Sequence, residues 1–251
     1  MRYAIKLAYD GRYFHGYARQ PNVQTVEDSI INACIELGFF QDPKSVMFRS
    51  SSRTDKGVSS LGTVIAFNSD HEIQNEVFEL NNLFDHIVIY GISSVDGDFY
   101  PRYARKRIYR YYLMINDYSL DSLLSTAQLF IGEHDYSNFA RVEPGKNPIR
   151  TIDDIKITKK DRFILIDFYA QTYLWHQIRR VISAIVKAEQ GKIKRSDIKG
   201  ALNKPNEKVD FGLSPAQYLI LYDVIYDFLF FIDEGSKKKK DELKTSIINS
   251  F

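Results

Sequence analysis

The chain has 251 residues, 44% hydrophobic and 26% charged, with 34 Lys and Arg against 32 Asp and Glu for a formal net charge of +2. That length holds one large domain or two small ones. No run of about 18 apolar residues occurs, which excludes a membrane-spanning helix, and the single cysteine, Cys34, excludes an internal disulfide and a cysteine-based zinc site. The N-terminus enters strand-like alternation without signal-peptide anatomy, so the expected location is cytoplasmic. A net charge this small does not announce a nucleic-acid partner. Its distribution is more telling, because cations gather at 49–56, 102–110 and 176–180.

Residues 3–9 alternate, with Tyr3, Ile5, Leu7 and Tyr9 on one face, the pattern of a half-buried strand. Asp10-Gly11 ends it as a turn and opens a loop to Gln20 that mixes basic and aromatic side chains. Such a loop suits RNA contact and equally suits packing on the surface. Thr25 reads as a helix N-cap. Val26, Ile30, Ala33, Cys34 and Leu37 then form one core-facing stripe, which makes Cys34 a small core residue.

Strand-like segments at Val46–Phe48 and Leu61–Phe67 flank a polar loop containing Arg53-Thr54-Asp55-Lys56-Gly57-Val58. A short helix around Glu72–Leu83 and a strand at His86–Ile92 complete a β-α-β-β-α-β order, the ferredoxin-like arrangement of RRM-type RNA-binding modules.

The second half repeats the kind of elements, not the sequence. A strand at Ile108–Ile115 precedes a helix over Leu120–Phe130, strands at Ile152–Thr158 and Phe163–Ala170, and helices at Tyr173–Glu189 and Ser196–Leu202. Tyr218–Phe231 reads as a long last strand, and Lys237–Lys240 as a solvated basic run. The expected fold class is α+β. Two RRM/ferredoxin-like halves, 1–104 and 105–251, are expected to form a continuous, mainly antiparallel sheet with helices on one side and a catalytic cleft between the halves.

Three stretches carry chemistry. In the first, Asp55 sits between Arg53 and Lys56 on a turn that Gly57 permits. Asp-Lys-Gly is also an ordinary turn sequence. Neighbouring cations favour the ionised carboxylate that a nucleophile or base needs. In the second, Phe99 to Tyr112 holds Arg102, Arg105, Lys106, Arg107 and Arg110 with interleaved aromatics and no acid. Cations neutralise phosphates and rings stack on bases, so this is an RNA-binding composition. The competing reading is an amphipathic strand with a solvated basic face. The third is Trp175-His176-Gln177-Ile178-Arg179-Arg180. There Arg179 flanks a stripe of Leu174, Ile178, Val181, Ile182 and Ile185 and is the better partner for Asp55, leaving Arg180 for phosphate or solvent. No phosphate loop, dinucleotide fingerprint or metal-ligand histidine spacing occurs, so no metal or cofactor is expected.

These stretches resemble, in order, the motifs of the tRNA pseudouridine synthase A (TruA) family: Tyr9-Asp10-Gly11, Thr25-Val26-Glu27, Arg53-Thr54-Asp55-Lys56-Gly57-Val58, Phe99-x-Pro-Arg102, Arg107-Ile108-Tyr109-Arg110-Tyr111, Gly132 to Phe139, and Trp175 to Arg179. Lys56 and Ser59 look like the archaeal and eukaryotic branch. The resemblance implies that Asp55 is the catalytic aspartate isomerising a tRNA uridine to pseudouridine, classically at positions 38–40 of the anticodon arm. It implies that Tyr109 stacks on the target base and serves or positions the base for its C5 proton, and that Arg179 holds Asp55. Arg53, Lys56, Arg102, Arg107, Arg110, Tyr111 and Arg180 are the expected substrate contacts. The family also implies a homodimer, no cofactor and a tRNA substrate. A non-catalytic RNA-binding protein of paired RRM-like modules is the alternative, although the RRM signature sequence is absent. A metal-dependent nuclease would need clustered carboxylates that this loop lacks.

Overall fold

The computed structural model describes residues 1–251. The chain forms two compact units, Met1–Arg105 with Ile220–Phe251, and Lys106–Leu219. In chain order the first unit opens with strand β1 (Arg2–Tyr9), helix α1 (Val26–Glu36), and strands β2 (Arg49–Ser50), β3 (Ser59–Asn68) and β4 (Ile87–Val95). β1 pairs antiparallel with both β3 and β4, and β2 pairs antiparallel with β3. That order, β4-β1-β3-β2, is the ferredoxin-like arrangement expected from the sequence.

Helix α1 begins where expected, because the Thr25 hydroxyl accepts from the Asp28 amide at 3.2 Å and donates to the Asp28 carboxylate at 2.8 Å. It contributes Val26, Ile30, Ile31, Ala33 and Cys34 to a core with Ile5, Leu7, Ile65, Phe67 and Ile89. Cys34 is fully buried and its thiol pKa is pushed up to about 12 by desolvation, so it packs as a small apolar residue. Leu37 leaves the expected stripe, since it lies at the helix C-cap and is exposed.

Two local expectations change. Val46–Phe48 is not a strand: Met47 has a left-handed φ of 49°, and the Phe48 amide bonds back to the Pro43 carbonyl. Pairing with β3 begins only at Arg49. The expected helix near Glu72–Leu83 is a run of 3-10 turns over Glu76–Leu83.

The second unit holds β5 (Lys106–Met114), α2 (Leu120–Ala127), β6 (Gly132–Asp135), β7 (Ile149–Ile152), β8 (Asp154–Lys160), β9 (Phe163–Ala170), α3 (Gln177–Glu189) and α4 (Arg195–Asn203). β9 pairs antiparallel with β5 on one side and β8 on the other, and α2 packs on β8 and α3. β6 and β7 form a separate antiparallel pair that the sequence reading does not contain. Helix α3 buries Ile178, Val181, Ile182 and Ile185 as expected. Leu174 precedes the helix, whose N-cap is His176 at a left-handed φ of 65°.

The chain then returns to the first unit. Strand β10 (Leu219–Ile225) runs parallel to β3 through Ile220 and Leu221, and β11 (Phe231–Ile232) pairs antiparallel with β4. The expected long strand at 218–231 is therefore two short ones. They are joined through Tyr226, Phe228 and Phe230, and the first two of those rings pack with Phe99. This pairing places Ile220–Phe251 with the first unit, whereas the sequence reading kept it in a domain spanning 105–251. Lys237–Lys240 lies within helix α5 (Glu234–Asn249), with Lys237, Lys238 and Lys239 exposed as expected of a solvated basic run. Asp233 caps it by accepting from the Ser236 amide at 2.7 Å, and Lys240 rests over the Tyr90 ring. No helix is long and apolar enough to cross a membrane.

Candidate active site

Asp55 lies on the connection from β2 to β3, in the first unit, and is partly exposed. Its backbone carbonyl accepts from the Val58 amide at 3.1 Å, and Gly57 turns the chain at a φ of 83°, a region that only glycine enters at no steric cost. The preceding residue is held three ways. The Thr54 carbonyl accepts from the Tyr17 amide at 3.1 Å, its hydroxyl lies 2.8 Å from the Tyr9 hydroxyl, and that same hydroxyl reaches the Val58 carbonyl at 3.5 Å.

The far end of the loop is fixed by the Tyr-Asp-Gly turn. The Gly11 amide donates to the Ser59 hydroxyl at 2.9 Å, and a Cβ on Gly11 would stand 2.2 Å from the Val58 carbonyl oxygen. Buried Asp10 accepts from the Arg12 amide and pairs with the Arg12 guanidinium. Two sequence motifs joined by contacts spanning 45 and 48 residues are thus one structural unit. Gly11→Ala is expected to destabilise the protein by about 1–3 kcal/mol, because backbone on both sides would have to move. A thermal melt together with an activity assay checks this, and unchanged values of both would contradict it.

Arg53 and Lys56 are exposed beside Asp55, as is Arg102 on its turn. Other expected substrate contacts are already committed within the second unit. Arg107 is buried and donates to the Gln171 carbonyl. Arg110 forms a two-pronged pair with Asp167, at 2.7 Å for each bond. Arg180 donates to the Asp210 carboxylate at 2.8 Å. The Asp210 pKa is lowered first by the Gly212 amide and then by Arg180. These arginines fasten strands and loops, and only long-range pairing reveals it.

Tyr109 is nearly buried on β5, its ring edge-on to Tyr173 at 5.3 Å. Burial pushes the Tyr173 hydroxyl well above its ordinary pKa and Tyr111 likewise, so both are neutral phenols near pH 7. The sequence reading missed Ser214, which ties two of its candidates to one segment. The Arg179 guanidinium donates to the Ser214 carbonyl at 2.8 Å, the Ser214 amide donates back to the Arg179 carbonyl at 3.2 Å, and Tyr111 of the same unit is the second candidate whose hydroxyl this segment influences. Nothing local marks Ser214, which sits in an irregular stretch far along the chain.

A family model described as tRNA pseudouridine synthase matches residues 126–227. Over most of its length the chain is 40% identical to the tRNA pseudouridine synthase A of Thermococcus sibiricus, covering 92% of this chain and 87% of the relative. It is 38% identical to that of Pyrococcus furiosus, over 95% and 89% respectively, and 37% identical to that of Methanobrevibacter smithii, over 98% and 91%. Among solved structures, a Cbf5-Nop10-Gar1 complex aligns with a TM-score of 0.39 and 14% identity over 73% of this chain and 44% of that one, too loose a likeness to carry an argument.

The identities over nine-tenths of the length define a pseudouridine synthase, an isomerase. The chain belongs to the tRNA pseudouridine synthase A family.

Proposed function

We propose that the protein isomerises uridine to pseudouridine in the anticodon stem-loop of tRNA, at positions 38–40, with Asp55 as the catalytic nucleophile or base. The observation that carries this reading is the fastening of the Asp55 loop at both ends, by Tyr9 and Tyr17 before it and by Gly11 after it. A carboxylate that must meet a reacting carbon is useful only if held, since a displacement of about 1 Å costs on the order of 100-fold in rate.

The reaction breaks C1′–N1, rotates the uracil and forms C1′–C5. The C5 proton is lost and one is gained at N1, so atoms and electrons balance with no cofactor. Asp55 attacks C1′, adds to C6 or takes the C2′ proton, and each route requires an ionised carboxylate. Tyr109 stacks on the uracil and serves or positions the base for the C5 proton, and Arg179 orients Asp55. Arg53, Lys56 and Arg102 hold the flanking phosphates and offset the few kcal/mol, roughly, that extruding the base costs. Arg107, Arg110, Tyr111 and Arg180 remain proposed substrate contacts, and the pairings of the three arginines also brace the second unit that carries Tyr109 and Arg179. The protein acts in the cytoplasm as a homodimer, and the homodimer rests on the family resemblance.

Incubation with tRNA carrying tritium at uridine C5 tests the activity, because isomerisation releases the label to water. Release is expected with wild-type protein. Tight, salt-sensitive binding without release would establish the RNA-binding alternative instead. The phosphate contacts have their own test. Removing Arg53, Lys56 and Arg102 together should flatten the slope of log affinity against log salt by about 2, and an unchanged slope would count against those contacts.

A further inference from the structure

The hydroxyls of Tyr9 and Thr54 form a contact with no evident packing role. Tyr9 is fully buried at the end of β1, where it is registered against Ser60 of β3 and Ile87 of β4. Its hydroxyl meets the side chain of the residue immediately before Asp55 at 2.8 Å. Thr54 has one hydrogen to give, and the carbonyl of Val58 lies 3.5 Å from its oxygen. A consistent donor order therefore runs from Tyr9 to Thr54 to Val58, whose own amide donates to the Asp55 carbonyl. The end of strand β1 is thus linked by side-chain hydrogen bonds to the two residues that bracket the Asp55 turn.

We propose that the Tyr9–Thr54 hydroxyl pair is a positioning device that sets the pose of the Asp55 carboxylate for the reaction. This inference rests on the reading of Asp55 as catalytic. A buried tyrosine could hold this part of the core with its ring alone, and the neighbouring Tyr17 ring lies 6.0 Å away. The hydroxyl is the feature that reaches the loop. Its loss leaves the ring packing in place and removes one of the three holds on Thr54, so rate suffers more than stability.

Tyr9→Phe and Thr54→Val delete one hydroxyl each while keeping shape. Each is expected to lower the single-turnover rate of tritium release by about 10- to 100-fold. The tRNA dissociation constant should stay within about twofold and the melting temperature within about 4 °C of wild type. The double variant should be no slower than Thr54→Val alone, because that change already removes the one bond that Tyr9→Phe removes. Thr54→Ser, which keeps the hydroxyl, should retain near-normal rate. A wild-type rate for Tyr9→Phe, or losses that multiply in the double variant, would overturn the proposal. So would rate losses explained fully by lost folded protein. Asp55→Asn measured in parallel separates the two readings. Activity in that variant defeats the catalytic assignment, whereas an inert Asp55→Asn beside a full-rate Tyr9→Phe defeats only the positioning role.

Discussion

Replacing Asp55 by asparagine is expected to lower pseudouridine formation by at least about 1,000-fold while changing tRNA affinity and melting temperature little. The substitution keeps size and hydrogen-bonding shape but removes the charge and basicity that every route through this residue needs. Asp55 is partly exposed on a loop whose fold depends on backbone groups, Thr54 and two glycines, none of which the change touches. A stable, tRNA-binding and inactive variant would therefore isolate the chemistry from the scaffold. Asp55→Ala should behave alike. Substantial turnover in either would remove Asp55 from the mechanism.

Loss of Asp167 should produce the largest effect on stability. Arg110 and Asp167 face each other across β5 and β9, joined by two 2.7 Å bonds, with side-chain exposures of only 21% and 9%. Truncation to Asp167→Ala leaves the guanidinium partly buried without its partner, at a cost of about 3 kcal/mol. For a protein of this size that corresponds to a fall of roughly 6–12 °C in melting temperature. Replacing both residues by leucine should cost less than the single truncation, since an apolar pair leaves no orphaned charge. Thermal melts of the three proteins check this. If Arg110 acted mainly on RNA, Asp167→Ala would instead strengthen tRNA binding with little loss of stability.

The contrast between Asp55 and Arg110 shows what was legible in the sequence. The Asp55 turn, the Thr25 cap and the stripe on α3 are written in residues within a few positions of one another, so local rules find them. Arg110 read as an RNA contact because its neighbours are basic and aromatic, yet its partner lies 57 residues away, where no local pattern marks it. The same limit hid the return of the chain to the first unit. Whether Ile220 pairs with β3 depends on a parallel register, and turns around Tyr226 to Phe230 cut an apolar run that looked continuous. Helix α5 was missed because Gly235 and four lysines resemble a tail. Asp233 supplies the cap, and buried Ser236 and Ile247 supply the contacts that hold it.

The candidate site was half legible. Asp55 and the Tyr-Asp-Gly turn stood out separately, but nothing in the sequence says that Gly11 abuts Val58 or that Tyr9 meets Thr54. Those contacts arise from β1 and β3 lying side by side, and they turn two motifs into one scaffold.

Carbodiimide-stop sequencing of an unmodified tRNA transcript, with and without the protein, tests the central claim most directly. New stops at uridines of the anticodon stem-loop, absent with Asp55→Asn, are the expected result. No new stop, or stops that persist with Asp55→Asn, would contradict it.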